Sequence, residues 1–279
     1  MYIKCWGSRG SIPVSGSEYI KYGGDTTCIE IRTKDDKIII VDAGTGIRRL
    51  GGQLIEEERY TYDIIFTHAH WDHLMGLPFF KPLYLEQTDI RLQGCPFAQK
   101  YVETMISTVM SPPNFPVRYT DIKADIRFEP VCPERFEIGT VSIIPIPLSH
   151  PNQGRGYKFI EDEKTFVFLT DNELDFIHPG GLSFKAYQEF SADAELLVHD
   201  AEYTKEEYEF TEQWGHSPYT TALKLAINAK VKQLGVFHLN QDRTDQDVDG
   251  IVDTCQQIVA KMGSNLKCFA VGADMTFTL

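Results

Sequence analysis

The sequence predicts a mixed α/β protein. Three observations carry that expectation: short β-branched runs recur along all 279 residues, each closes in a polar or glycine-bearing segment, and stretches with helical apolar spacing stand between them. Hydrophobic residues make up 42% of the chain, enough for a sizeable core. No Ser/Gly linker, fixed-period repeat or low-complexity stretch divides it, so one domain over residues 1–279 is expected.

In chain order, the first strands are expected at 28–32, at 37–41 where an Ile/Val run stops at Asp42-Ala43-Gly44, at 62–67, and at 89–92. A helix is expected over 97–109, where Phe97, Tyr101, Met105 and Val109 repeat at spacing four. The proline-dense stretch 111–116 reads as a surface loop. Strands follow at 141–145, 157–160, 164–169 and 194–198. Ser217 reads as the cap of a second helix with Pro218 at its first position, where a missing N–H costs nothing, continuing through Leu223, Ala226 and Ile227. After a strand at 233–237, the best-marked helix runs from Asp245 to Met262. Thr244 is its N-cap with Asp247 three residues on; Val248, Ile251, Val252, Cys255, Ile258, Val259 and Met262 line one face, and Gly263 ends it. Strands at 267–270 and 275–279 close the chain.

Lys plus Arg number 27 against 40 Asp plus Glu, a net charge of −13, which argues against a surface built to grip a long nucleic acid through phosphate contacts. No apolar run approaches the roughly 18 residues a membrane-spanning helix needs, and the N-terminus lacks the charged, apolar and small-residue regions of a secretory signal. The cytoplasm is the expected compartment. The six cysteines, Cys5, Cys28, Cys95, Cys132, Cys255 and Cys268, have no Cys-x-x-Cys spacing and read as buried thiols.

The chemistry concentrates where a buried-strand pattern runs into Thr67-His68-Ala69-His70-Trp71-Asp72-His73. Four metal-type ligands within six residues exceed what scattered surface histidines produce, and imidazole with carboxylate suits Zn, Mn or Fe. The design repeats: strand patterns lead to Ser149-His150, to Asp171, to His199-Asp200 and to His238. A His or Asp at the end of strand after strand is what a site along one sheet edge requires.

With these residues the sequence resembles the metallo-β-lactamase-fold hydrolases, through His68, His70, Asp72 and His73 as their His-x-His-x-Asp-His signature, followed in order by His150, Asp171 and His238. The resemblance implies a four-layer αβ/βα sandwich with two divalent metal ions, Zn or Mn, or Fe, at one edge. It assigns His68, His70 and His150 to one metal, Asp72, His73 and His238 to the other, and Asp171 to a bridge. Asp42 matches a family position that supports the metal-binding histidines from behind, where a carboxylate fixes an imidazole's tautomer; alternatively it is a turn aspartate before glycine.

Within that family the sequence looks most like the phosphodiesterase branch that contains ribonuclease Z. Val198-His199-Asp200-Ala201-Glu202-Tyr203 followed by Trp214-Gly215-His216-Ser217 is similar to the ribonuclease Z pairing of a His-Glu-Ala-Thr segment with a later His-Ser, with Asp200 in place of the glutamate. The resemblance implies that His216 protonates the leaving oxygen, oriented by Asp200, while the two metals polarise the phosphoryl group and activate a bridging water that Asp72 helps orient. The alternative for His216 is a role at the start of the helix that follows it. Gly7-Ser8-Arg9-Gly10-Ser11 resembles a family phosphate-binding segment, or is an ordinary tight turn; Arg9 and Arg155 are candidate substrate contacts.

Many ribonuclease Z proteins carry a long arm that grips transfer RNA between the positions matching His150 and Asp171. Here that interval holds only a turn and two short strands. The expected substrate is therefore a small phosphodiester, cyclic nucleotides first, with Trp71, Trp214 and Tyr219 as candidate surfaces for a base. RNA 3′ processing and thioester or lactone hydrolysis are the alternatives. Family analogy also suggests a homodimer, and the stretch 78–133 reads as either an interface or a cover over the cleft. His178 has no ligand match.

Overall fold

The computed structural model describes residues 1–93, 103–104, 106–113, 115–128 and 133–279. The strands are β1 (Tyr2–Gly7), β2 (Cys28–Arg32), β3 (Ile38–Val41), β4 (Thr61–Ile65), β5 (Asp89–Gln93), β6 (Asp125–Phe128), β7 (Phe136–Ile138), β8 (Val141–Pro147), β9 (Arg155–Glu161), β10 (Lys164–Leu169), β11 (Leu196–Asp200), β12 (Gln233–Phe237), β13 (Lys267–Ala270) and β14 (Thr276–Thr278). They form two sheets, in the orders β14-β1-β2-β3-β4-β5-β6 and β13-β12-β11-β10-β9-β8-β7. In each sheet an antiparallel part gives way to a parallel one, beginning with the β3–β4 pair in the first and the β10–β11 pair in the second.

Side-chain alternation along the strands builds the layers. Ile29 and Ile31 of β2 and Ile39 and Val41 of β3 face the second sheet, where Phe159, Phe166, Phe168 and Phe237 meet them in a core between the sheets. The rings interlock, Phe159 on Phe166 at 5.4 Å and Phe168 on Phe237 at 5.3 Å. Ile38 and Ile40 point the other way, to Ile47, Leu50 and Leu54 of α1 (Ile47–Glu56). On the far side, Val167, Leu169 and Leu197 meet α2 (Phe184–Phe190), α4 (Tyr219–Asn228) and α5 (Asp245–Lys261). Helices, sheet, sheet and helices make the four-layer αβ/βα sandwich. Fully burying each large apolar side chain contributes roughly 1.5–3 kcal/mol.

The strands expected from the sequence are all present, with ends shifted by up to two residues. Three short strands were not expected. β6 and β7 lie at sheet edges, and β1 alternates half-buried Tyr2 and Lys4 with buried Ile3 and Cys5, too brief a pattern to stand out. Helix α1 was not expected either; Gly51-Gly52 stands in its middle, and glycine is a poor helix former. Gly51 is in fact the point of close packing: a Cβ there would lie 2.7 Å from the Phe80 ring. Helix α3 (Lys205–Thr211) has a capping box, Thr204 with Glu207, but no buried face.

The long C-terminal helix begins as expected, Thr244 capping Asp247 N and Asp247 returning the contact. Met262, however, is the C-cap and 61% exposed, one residue past the helix and three past Val259, the last buried residue of the stripe. Ser217 does not cap α4; Pro218 holds the cap position, and the Ser217 hydroxyl donates to Asn172 O at 2.6 Å while accepting from Leu174 N at 3.0 Å. Of the expected helix at 97–109, Phe97, Tyr101 and Met105 lie outside the described residues, whereas 103–104 and 106–109 are helical. Cys5, Cys28, Cys255 and Cys268 are buried free thiols, and Cys95 and Cys132 lie outside the described residues. Within 78–133, β5 and β6 extend the first sheet, and Leu83, Ile106 and Met110 pack on its outer face. Among the described residues no helix is long and apolar enough to cross a membrane.

Candidate metal centre

Strands β1, β3, β4, β8, β10, β11 and β12 run toward one edge of the sandwich, and the residues that follow them meet there. Three of those residues, Asp42 after β3, Asp171 two residues after β10 and His238 after β12, adopt left-handed backbone with φ of 62°, 53° and 55°. Asp, Asn and His are the residue types that reach this region with least strain. There the chain reverses abruptly, and a polar side chain sits at the strand end.

The structure gathers His68, His70, His150 and Asp171 so that one ligand atom from each lies within 4.8 Å of the others. Asp72, His73, Asp171 and His238 form a second such group, with Asp171 common to both. Asp171 Oδ2 is 3.4 Å from His68 Nε2 and from His238 Nε2, and its Oδ1 is 3.3 Å from His73 Nε2. Asp72 Oδ2 lies 3.2 Å from His238 Nε2 and accepts from Ser11 N at 2.9 Å. All seven residues predicted as ligands thus converge, four from the first sheet and three from the second.

The fit to metal ions follows from the tautomers. His150 Nδ1 is 2.9 Å from Gly215 O, which can only accept, so the proton sits on Nδ1 and Nε2 carries a bare lone pair. His73 Nδ1 is 2.8 Å from Asp42 Oδ2, with the same consequence. The Asp42 carboxylate also accepts from Thr67 N at 2.8 Å and Thr67 Oγ1 at 2.7 Å, which frees the Thr67 oxygen to accept from His68 Nδ1 at 3.0 Å. His150 Nε2 then faces His70 Nδ1 at 3.1 Å. His68 Nε2 and His73 Nε2 are buried with no hydrogen-bond partner. Lone pairs turned inward on buried imidazoles, around two buried carboxylates, are what a pair of divalent cations neutralises.

Electrostatics divide the cluster. Burial, reinforced by His68, lowers His70 to about 4 and holds His150 well below the usual imidazole range, so both stay neutral. In the second group the acids prevail: burial lowers His73, but Asp171, Asp72 and Asp42 outweigh it and raise the imidazole well above its usual range, and burial of Asp171 is in turn outweighed by His238, His73 and His68, which hold the carboxyl well below the usual carboxylate range; a cation at His73 Nε2 would take the place of that proton.

His216 stands beside this cluster, stacked on His238 with ring centroids 4.6 Å apart, its Nδ1 3.2 Å from Asp200 Oδ2. Burial lowers its pKa, yet the carboxylates of Glu202 and Asp200 prevail and raise it to about 9. Asp200 also accepts from Asn172 N, Glu202 N and Ser217 N, and is fully buried. His199, its neighbour in β11, points to the opposite face and meets Asn172 Nδ2 at 3.2 Å, apart from the metal groups.

Arg9 is enclosed within the fold, its Nη2 buried without a hydrogen-bond partner 3.8 Å from Asp245 Oδ1. Its side chain is fully buried and its guanidinium donates to the carbonyls of Gly23 and Arg243, both at 2.8 Å. The amides around it are also engaged, Ser8 N and Arg9 N with Asp25 O and Gly10 N with Leu239 O. The amides of Ser8, Arg9, Gly10 and Ser11 thus all have acceptors within the chain, that of Ser11 in Asp72 Oδ2. Arg155 opens β9, half-buried, with its guanidinium on Gly154 O at 3.0 Å. Trp71 and Trp214, 42% and 63% exposed, stand one residue from His70 and from Gly215, whereas Tyr219, the first residue of α4, is half-buried and packs against the core. His178 binds Glu173 Oε2 at 2.7 Å, away from the metal groups.

Sequence reasoning missed Thr67, Gly215 and Glu202. Glu202 forms a third buried group with His216 and His238. It stands in the segment that singled out Asp200, two residues on and therefore on the same face of an extended chain, which is the one local signal it offered.

Over residues 37–239 the chain matches the family described as beta-lactamase superfamily domain. It is similar to the ribonuclease Z of Oceanobacillus iheyensis, 20% identical over 240 residues that span 70% of this chain and 76% of that protein. Among solved structures it is similar to the metallo-beta-lactamase fold protein YhfI from Bacillus subtilis, with a TM-score of 0.72 and 14% identity over 99% of this chain and 98% of that one. A diphosphatase of the PhnP family gives a TM-score of 0.70 and 17% identity over 100% and 97% of the two chains. At these identities the likeness to solved structures is one of fold.

Proposed function

This chain belongs to the beta-lactamase superfamily, and on that footing we propose that it is a metal-dependent phosphodiesterase acting on small phosphodiesters, cyclic nucleotides first. The observation that carries the reading is His216, set against Asp200 at 3.2 Å and stacked on the ligand-type residue His238. A thioester hydrolase on the same metal core has little need of a second, carboxylate-backed imidazole beside the metals, because a thiolate leaves without a proton. A phosphodiester does, because its leaving alkoxide must be protonated.

His68, His70 and His150 would hold one cation, Asp72, His73 and His238 the other, and Asp171 would serve both. When bound, two such ions supply Lewis acidity and neutralise charge at the phosphoryl group. Asp200 accepts from His216 Nδ1 and fixes the ring, so that Nε2 is the nitrogen left to hand a proton to the leaving oxygen. Gly215 and Asp42 hold His150 and His73 in the tautomer that turns a lone pair inward. Trp71 and Trp214 offer exposed faces for a base.

Relatives named ribonuclease Z support RNA 3′ processing as a second reading. Against it stand the net charge of −13 and the interval between His150 and Asp171, filled by β9, β10 and the tight turn at Asp162 and Glu163. The test is chromatographic product analysis after incubating Mn- or Zn-loaded protein with cyclic mono- and dinucleotides, a precursor transfer RNA and a thioester, each with a chelated control. Chelator-sensitive ring opening, lost by about 10²-fold or more in His216→Ala and Asp200→Ala, is the expected result. Cleavage of the thioester alone, unaffected by either change, would overturn the phosphodiesterase reading.

A further inference from the structure

The geometry assigns Glu202 as the positioning residue for His238, and thereby for one of the two metal sites. The inference rests on the two-metal reading above and adds to it a residue on which the metal at His238 depends.

His238 ends β12 in left-handed backbone, so its ring is not aligned by strand geometry and has to be held by what surrounds it. One neighbour is Gly10, so close that a Cβ there would lie 2.2 Å from His238 Nδ1. Another is Glu202, whose Oε2 lies 2.8 Å from the same Nδ1. A carboxylate accepts and does not donate, so Nδ1 carries a proton, and Nε2 is left facing the Asp72 and Asp171 carboxylates at 3.2 and 3.4 Å, where a cation held by those acids would take its lone pair. Asp42 does the same for His73 from the first sheet. The two arrangements correspond atom for atom, a buried carboxylate at 2.8 Å behind the Nδ1 of a histidine in the second ligand group.

Glu202 is itself held rigidly. Its Oε1 accepts from Asn240 Nδ2 at 3.0 Å, its main-chain oxygen accepts from Arg243 Nη2 at 2.9 Å, and its amide donates to Asp200 Oδ1 at 3.2 Å. Oε2 is shared, lying 3.5 Å from His216 Nδ1 as well. The second carboxylate near His216, Asp200, lacks any such contact with a ligand-type histidine. This separates the two acids: Asp200 meets His216 and backbone amides, whereas Glu202 lies 2.8 Å from His238 Nδ1 and farther, at 3.5 Å, from His216 Nδ1.

The experiment measures zinc stoichiometry and affinity by competition with a chromophoric chelator, on wild-type protein and on Glu202→Ala, Glu202→Gln and Asp200→Asn, with thermal melts to establish folding. The wild type is expected to bind two ions. Glu202→Ala is expected to bind one of the two about 10–100-fold more weakly while the other is unchanged. Glu202→Gln, whose amide oxygen still accepts from Nδ1, should recover part of that loss, and Asp200→Asn should retain both affinities. Wild-type affinity at both sites in Glu202→Gln and Glu202→Ala would overturn the inference and leave the two-metal reading standing. Failure of the wild type to bind two ions would overturn both. If Glu202→Ala does not fold, Glu202→Gln decides alone, a weakened single site supporting the assignment and two unchanged sites refuting it.

Discussion

Replacing Gly215 with alanine tests the centre at a residue that carries no functional group. The backbone there has φ of 97°, a conformation that costs an L-residue about 1–2 kcal/mol, and the added Cβ would lie 2.1 Å from His150 Nδ1. Ordinary contact begins near 3.4 Å, so ring and backbone must separate by roughly 1 Å. That separation breaks the bond from His150 Nδ1 to Gly215 O, now 2.9 Å, and with it the fixed tautomer. A misplacement of this size costs about 10²-fold in rate, equivalent to about 2.7 kcal/mol of transition-state stabilisation. The assay is kcat/KM for a generic aryl phosphodiester alongside metal content by mass spectrometry. The expected result is both reduced, with a melting temperature a few degrees lower. A variant with full metal content and unchanged kcat/KM would refute the claim that the Gly215 carbonyl sets His150.

Chelation of the purified protein should lower its melting temperature, since each ion present at 100 times its Kd adds about 2.7 kcal/mol to the folded state, and Zn or Mn should restore it; an unchanged melt would exclude a centre that ties the two sheets together. His178→Ala should cost about 1–3 kcal/mol by removing one partner of the buried Glu173 carboxylate, yet leave two metals bound, because Tyr208 Oη, Gln213 N and Gly215 N still donate to Glu173; loss of a metal would mean that His178 acts on the site. Thr244→Ala should lower stability by about 1 kcal/mol through loss of the capping box of α5, and an unchanged melt would show that Asp247 alone holds that end.

What was legible in the sequence depended on how local the signal was. Strands β4, β10 and β12 are buried along most of their length and read as apolar runs, and the capping box of α5 lies within four residues. The ligands were legible because four of them crowd into six residues shortly after β4 and the other three stand within three residues of the ends of β8, β10 and β12. Glu202 and Gly215 were not, because their partners His238 and His150 are 36 and 65 residues away. Helix α1 was hidden by a glycine whose reason is the Phe80 ring, again a distant residue. Arg9 shows the converse: a glycine- and serine-rich loop with an arginine fits an anion locally, and only the fold shows the side chain buried, with Nε and Nη1 donating to Gly23 and Arg243.

The left-handed backbone at Asp42, Asp171 and His238 bears on how substitution experiments at this centre should be designed. Alanine at position 171 removes a ligand but also imposes on a β-carbon residue a conformation that aspartate tolerates better, so a drop in melting temperature would mix two effects. Asparagine keeps the backbone preference and most of the shape while discarding the charge. Glycine removes the side chain and relaxes the backbone together, so Asp171→Gly is expected to melt at a higher temperature than Asp171→Ala while binding metal equally poorly. At this position thermal stability and metal content can therefore move independently, and only the Ala, Asn and Gly variants taken together separate the contribution of the ligand from that of the turn.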